Sequence, residues 1–299
     1  MALLIITTIL WAFSFSLIGE YLAGHVDSTF SVLMRVGLAA LVFLPFLRTR
    51  GQSIKTLSLY MLVGALQLGV MYLFSFRAYL YLTVSEFLLF TVFTPLYITM
   101  IYDLLSKRPL RWGYALSALL AVMGAAIIRY DKVSDHFWTG LLLVQLANIS
   151  FAIGMVGYKR LMETRPMPQH TAFSWFYLGA FLVAVVAWFT IGNPQKLPTT
   201  TLQWGILVWL GVAASGLGYF MWNYGATQVD AGTLGIMNNV HVPAGLLVNL
   251  AIWQEQPHWP SFIIGGTVIM ASLWVHRRWV APRSSQTADD RRRADAPSE

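Results

Sequence analysis

Residues 141–158 read LLLVQLANISFAIGMVGY, eighteen positions without a charge and without regular alternation of polar and apolar side chains. A membrane-spanning strand alternates over roughly ten residues, whereas a helix crossing hydrocarbon needs about 20 mostly apolar residues. The stretch reads as a helix, and its pattern recurs along the chain. Of the 299 residues, 57% are hydrophobic and 11% charged, with a mean hydropathy of +0.61; soluble domains carry roughly 25% charged residues. The reading is an all-α integral membrane protein with no soluble domain.

Cutting at charged and turn-rich patches gives ten expected transmembrane helices, near 2–22, 30–47, 57–76, 82–105, 112–129, 139–158, 171–191, 204–224, 232–252 and 261–279. The third and fourth are separated only by RAYLYLT at 77–83. With both termini placed in the cytoplasm, fifteen Lys and Arg fall on that side and four on the other, and Arg35 lies inside a span. The positive-inside bias therefore sets the orientation. That asymmetry also accounts for the +7 net charge without invoking nucleic acid. The apolar run starts at Ala2 with no basic segment before it, so no removable signal peptide is expected. The tail, 280–299, balances four Arg against Asp289, Asp290, Asp295 and Glu299 and is expected to be disordered and cytoplasmic.

The halves resemble each other. A shift of 148 residues lays Ala78 on Ala226, Pro95 on Pro243 and Pro109 on Pro257. Five spans per half, an odd number, place the second copy upside down. Inverted repeats of this kind recur in secondary transporters, whose site lies near the midplane between them. The expected domains are a first repeat at 1–131, a second at 137–279, and the tail.

Several residues carry a resemblance to a known family: Trp11 in ILWAFSF, Arg35 in LMRVGLAALVFLP, Pro95 in FTPLYI, and Glu255 in AIWQEQPHWPSFIIGG. These resemble the drug/metabolite transporter superfamily with its two five-helix EamA-type repeats, in particular its carboxylate/amino acid/amine group. Lys107 in LLSKRPLRWGY stands where that family carries an acidic residue. YKRLMETRPMPQH (158–170), GYFMWNYGATQVDAGTLGIMNN (218–239) and WVAPRSSQTADDRRR (279–293) are similar to the biotin-importing members. The resemblance implies biotin uptake across a bacterial inner membrane; composition and spacing do not. Export of amino acids or other small metabolites is the alternative within the superfamily.

Span nine holds the most unusual polar cluster, GIMNNVHVPAG at 235–245. Asn238, His241, Gly245 and Asn249 share one helical face, with Asn239 beside it. Polar side chains in a span face the bundle interior or a wet cavity, so this face either contacts substrate or joins helices. Pro243 removes one backbone donor and is expected to kink the span. The 148-residue shift maps the face onto Phe90, Phe93 and Tyr97 of span four, an aromatic wall or ordinary core. Arg35 either receives a substrate carboxylate or pairs with Glu20, and Arg77 either attracts an entering anion or snorkels. In span eight, Trp222, Asn223 and Tyr224 either line the cavity or mark the interface. Trp11, Tyr72, Ser75, Gln145, Asn148 and Trp175 are weaker candidates.

Glu20, Glu86, Asp230 and His241 are the candidates for coupling transport to protons. No cysteine is present, so a thiolate metal site is excluded; no metal or cofactor is expected. The absence of a P-loop leaves ATP hydrolysis unsupported. A remote alternative is an intramembrane hydrolase built on Ser215 with His241 as base, but the motif lacks its leading glycine. No enzyme activity or catalytic residue is expected, and oligomeric state is not legible.

Overall fold

The computed structural model describes residues 2–49, 51–105, 112–128, 135–228, 231–254 and 259–279. Every regular element among the described residues is helical. The helices are α1 (Ala2–Leu22), α2 (Ser28–Phe46), α3 (Ile54–Ala78), α4 (Val84–Leu105), α5 (Trp112–Ile128), α6 (Asp135–Thr164), α7 (Gln169–Ile191), α8 (Thr201–Thr227), α9 (Ala231–Val248, continued by Asn249–Trp253) and α10 (Trp259–Trp279). Seven of these, α1–α4 and α6–α8, are long and apolar enough to cross a membrane; Val240–Trp253 and Trp259–Ser272 are shorter apolar helices. Each expected span meets one helix. The largest shift is in α6, which continues past the expected end at 158 to Thr164, because Lys159 and Arg160 stop burial in lipid without stopping a helix. The tail, Pro109, Pro257, Lys107, Glu255 and Asp230 lie outside the described residues.

Side-chain caps set the helix starts. Asp27 accepts from the N–H groups of Thr29 and Phe30 at 2.8 and 2.9 Å, opening α2. Reciprocal capping boxes, Thr83 with Glu86 and Thr200 with Gln203, open α4 and α8. Each satisfies donors that a helix leaves unpaired at its N-terminus.

The chain divides into two compact units, 1–95 with 134–256, and 96–133 with 257–299. In the second, α5 and α10 run in close contact: a Cβ added at Gly124 meets Ile269 Cγ1 at 2.6 Å and the Gly265 carbonyl at 2.7 Å. The first unit is bound by similar close approaches. A Cβ at Gly64 collides with the backbone carbonyl of Phe176, and one at Gly179 with that of Met61, so α3 and α7 meet backbone to backbone. Small residues permit this contact, which takes the place of the hydrophobic driving force that lipid removes. Phe43, Phe173, Phe176, Tyr177 and Phe220 form an aromatic cluster in the same unit, with ring centroids 4.9–5.9 Å apart between neighbours.

Two departures from regular helix shape the interior. First, α3 and α8 each contain a widened, π-type segment, Ala65–Val70 and Leu210–Leu217. The α8 segment has carbonyls bonded by side chains of other helices: Ala214 accepts from Trp11 Nε1 at 3.0 Å, and Ser215 and Gly216 from the Tyr177 hydroxyl at 2.7 and 2.8 Å. Second, α4 breaks at Val92–Phe93. Pro95 has no N–H to give the Thr91 carbonyl, and the Thr94 hydroxyl takes that role at 2.7 Å. The Phe90 carbonyl, released by the break, accepts from Asn148 Nδ2 at 2.9 Å. Inside a membrane protein such carbonyls need partners from the protein. The segment around Pro243 is assigned helix throughout, so it is span four rather than span nine that opens.

Candidate functional site

A cavity lies inside the first unit, lined by residues of α1, α2, α3, α4, α6, α8 and α9. Its volume is ≈ 90 Å³, below the roughly 300–1,000 Å³ usual for small-molecule sites. Eight of the eighteen lining residues are Trp, Phe or Tyr: Trp11, Phe15, Tyr72, Phe76, Tyr79, Phe87, Phe151 and Tyr219.

Arg35 is the one charged side chain among the described residues of this lining, which includes no Asp or Glu. It is 2% exposed. Its Nε donates to Ser215 Oγ at 3.0 Å and its Nη2 to the Tyr72 hydroxyl at 2.9 Å, while those two oxygens lie 2.9 Å apart. The guanidinium carbon also sits 4.2 Å from the Tyr72 ring centroid and 5.6 Å from that of Phe76. Neutral hydroxyls and ring faces soften the desolvation of the cation without neutralising it. Two of the five guanidinium N–H groups are used in these bonds, leaving donors for an anion. The α8 π-segment holds Ser215 at this point, so the irregular turn positions the arginine.

His241 also lines the cavity and is 6% exposed. Its ring stacks on Phe15 with centroids 5.6 Å apart and an angle of 23°, and its Nε2 lies 3.4 Å from Thr91 Oγ1. The Thr91 hydroxyl donates its proton to the Leu88 carbonyl at 2.6 Å, so Nε2–H is the donor in the histidine contact.

Among the other expected residues, Trp11, Tyr72, Ser75 and Asn148 line the cavity. Trp222 is fully buried against Trp11, centroids 5.0 Å apart. Asn223 is fully buried in a reciprocal amide pair with Gln67, at 3.0 and 3.3 Å. Tyr224 is half-buried against Phe220. These span-eight side chains are absent from the described lining.

The span-four wall is also displaced. Phe90 packs on Phe137 and Phe93 is buried, while Phe87, Thr91 and Thr94 take the lining positions. Tyr97 is half-buried and belongs to the second unit. Phe87, Thr91 and Thr94 follow the i, i+4, i+7 spacing of one helical face, beside the face onto which the repeat shift maps span nine. Asn249 bonds to Ser16 at 2.9 Å and Ser85 at 3.4 Å, joining helices. Gln145 reaches the Phe90 carbonyl at 3.4 Å, and Trp175 bonds the Arg48 carbonyl at 3.1 Å. Arg77 and Glu20 are exposed, and Glu86 is buried as the α4 cap. The side chains of Asn238 and Asn239, like Asp230, lie outside the described residues.

Sequence reading passed over Phe15, Phe87, Thr91, Thr94 and Phe151. Phenylalanine and threonine are unremarkable in a span, and the available signal was Pro95 next to two threonines.

Comparison with known proteins agrees with a transport site. A family model described as the EamA-like transporter family matches residues 1–130 and 138–277. The chain is 84% identical over 299 residues, all of both sequences, to a protein described as a biotin transporter from Escherichia coli K12. It is 83% identical over the same length to a biotin transporter from Salmonella typhimurium. A protein from Pseudomonas aeruginosa described as a probable biotin transporter is 55% identical over 279 residues, covering 93% of this chain and 97% of that one. A solved crystal structure aligns with a TM-score of 0.62 at 18% identity, covering 92% of this chain and 96% of its own, a likeness of fold alone.

Proposed function

The chain belongs to the EamA-like transporter family, and from that premise we propose that it is a secondary transporter bringing biotin across the bacterial inner membrane. The reading includes ten transmembrane helices in two inverted five-helix repeats, 1–131 and 137–279, which expose the cavity alternately to the two sides. Both termini are placed in the cytoplasm by the positive-inside bias. Support for the repeat comes from the two stretches of near-equal length that the family model matches. It also comes from the π-segments: shifting Ala65–Val70 by 148 residues gives 213–218, overlapping Leu210–Leu217.

The observation that carries the substrate reading is Arg35, a buried cation facing an aromatic cavity whose described lining contains no carboxylate. Biotin has a carboxylate for the guanidinium and compact rings for the aromatic walls. Its ureido head suits the polar side near His241. Of the expected contacts, Arg35 and His241 remain first choices, and Trp222 packs behind Trp11 of the wall. Among the described coupling candidates, His241 is the one that lines the cavity. The hydrolase alternative loses its nucleophile, because Ser215 is held by a cation and a phenol rather than by a base.

The test is uptake of labelled biotin at nanomolar concentration by cells unable to synthesise it, with and without this chain. Uptake that rises with the chain is the expected result. Equal uptake in both overturns the substrate, and efflux from preloaded cells favours the exporter reading.

A further inference from the structure

We infer that the cavity contains a subsite made of hydrogen-bond acceptors, built for a ligand group that presents N–H. The inference deepens the function proposed above and rests on it for the identity of the ligand. It stands on where Ser14, Thr91, Thr94, Asn148 and Trp11 of the lining send their protons.

A hydroxyl has a single proton and two lone pairs. Ser14 Oγ gives its proton to the Leu10 carbonyl at 3.0 Å, Thr91 Oγ1 to that of Leu88 at 2.6 Å, and Thr94 Oγ1 to that of Thr91 at 2.7 Å. All three residues line the cavity. With their protons committed to backbone, these oxygens meet a ligand only as acceptors, Thr91 through the lone pair that His241 Nε2–H leaves open. Asn148, also in the lining, directs its Nδ2 to the Phe90 carbonyl at 2.9 Å and to Gln145 Oε1 at 3.3 Å. Its amide oxygen accepts from no described side chain or backbone group. Trp11, the nearest large donor of the lining, gives its N–H to the Ala214 carbonyl.

Within this group of side chains the donors are spent on the protein and acceptors are left over. The cause is structural. The break in α4 releases carbonyls that demand protons, and Thr94 and Asn148 supply them. The outcome is a cavity with two chemically distinct regions on different helices: a cationic donor on α2 for a carboxylate, and acceptors on α1, α4 and α6 for N–H. A cyclic urea joined through an apolar body to a carboxylate satisfies both. A carboxylate of the same length without N–H satisfies only the first and leaves buried acceptors unpaired, which is the costly case.

The experiment measures equilibrium binding to the purified full-length chain in nanodiscs. The probes are desthiobiotin, a cyclic urea carboxylate, and its N,N′-dimethyl analogue, which keeps the carbonyl and carboxylate but has no N–H. The expected result is binding of desthiobiotin, with the dimethyl analogue weaker by about 30-fold or more. Thr91→Val keeps the shape and removes one acceptor. It is expected to weaken desthiobiotin about tenfold and leave the dimethyl analogue unchanged, whereas a merely structural role weakens both alike. Equal affinity for the two probes, or binding of neither, overturns the inference. Because binding is read without transport, a chain that discriminates the probes yet fails in cellular uptake refutes the transport function and not the subsite.

Discussion

Replacing Arg35 with methionine removes the charge from the cavity while keeping a long, flexible side chain in its place. Two opposite consequences follow from its surroundings. For stability, the guanidinium is 2% exposed and its hydrogen-bond partners are two neutral hydroxyls, so its desolvation is only partly offset. The two hydroxyls already lie 2.9 Å apart and keep each other as partners when it goes. Arg35→Met is therefore expected to leave the folded chain as stable as the parent, or slightly more so. For the ligand the effect is large. A carboxylate loses two charge-assisted hydrogen bonds worth about 1.5–3 kcal/mol each, roughly 3–6 kcal/mol together, which amounts to about a hundredfold or more in affinity. The assay is concentration-dependent uptake of labelled biotin at matched membrane abundance, with biotin and neutral biotinamide as competitors. The parent should prefer biotin strongly, and Arg35→Met should treat the two alike. Uptake within about threefold of the parent would refute the reasoning. So would a thermal midpoint lowered by roughly 5 °C or more, which shows that the arginine holds the fold together.

Two further predictions rest on packing and topology. Gly179→Ala inserts a Cβ into the Met61 backbone and should strongly lower the amount of folded chain, whereas Gly205→Ala, where a Cβ meets nothing within 4 Å, should not; fluorescence-detected gel filtration compares them. The natural sequence has no cysteine, so single substitutions report topology directly. His25→Cys and Gln195→Cys should react with a membrane-impermeant maleimide in intact cells and Gln52→Cys only after lysis, and the reverse pattern overturns the orientation.

Helix positions were legible because apolar runs of span length have few alternatives, and charged patches mark where they end. Arg35 and His241 were legible for the complementary reason: in hydrocarbon a guanidinium or an imidazole is conspicuous and must face inward. The acceptor wall was not. Serine and threonine return their protons to their own helix at little cost, so nothing about Ser14, Thr91 or Thr94 stands out in a string of residues. For span four, where the sequence left an aromatic wall or ordinary core open, Phe90 and Phe93 pack as core. The lining comes from the neighbouring face, where Phe87, Thr91 and Thr94 follow regular i, i+4, i+7 spacing. Asn223 illustrates a third difficulty. Its partner Gln67 lies 156 residues away, so its amide seemed available until the fold brought the two together.

A cavity whose one charged described side chain is Arg35 also has an electrical consequence. Empty, the site carries a full positive charge; with a monoanion bound, it carries none. Membrane voltage acts on charge that moves through the field, by about 2.3 kcal/mol per elementary charge for each 100 mV fully crossed. Ligand binding therefore silences the site's share of voltage sensing. In the proposed alternating-access cycle, the membrane potential acts through Arg35 on the rearrangement of the unloaded chain and not on the passage of its cargo.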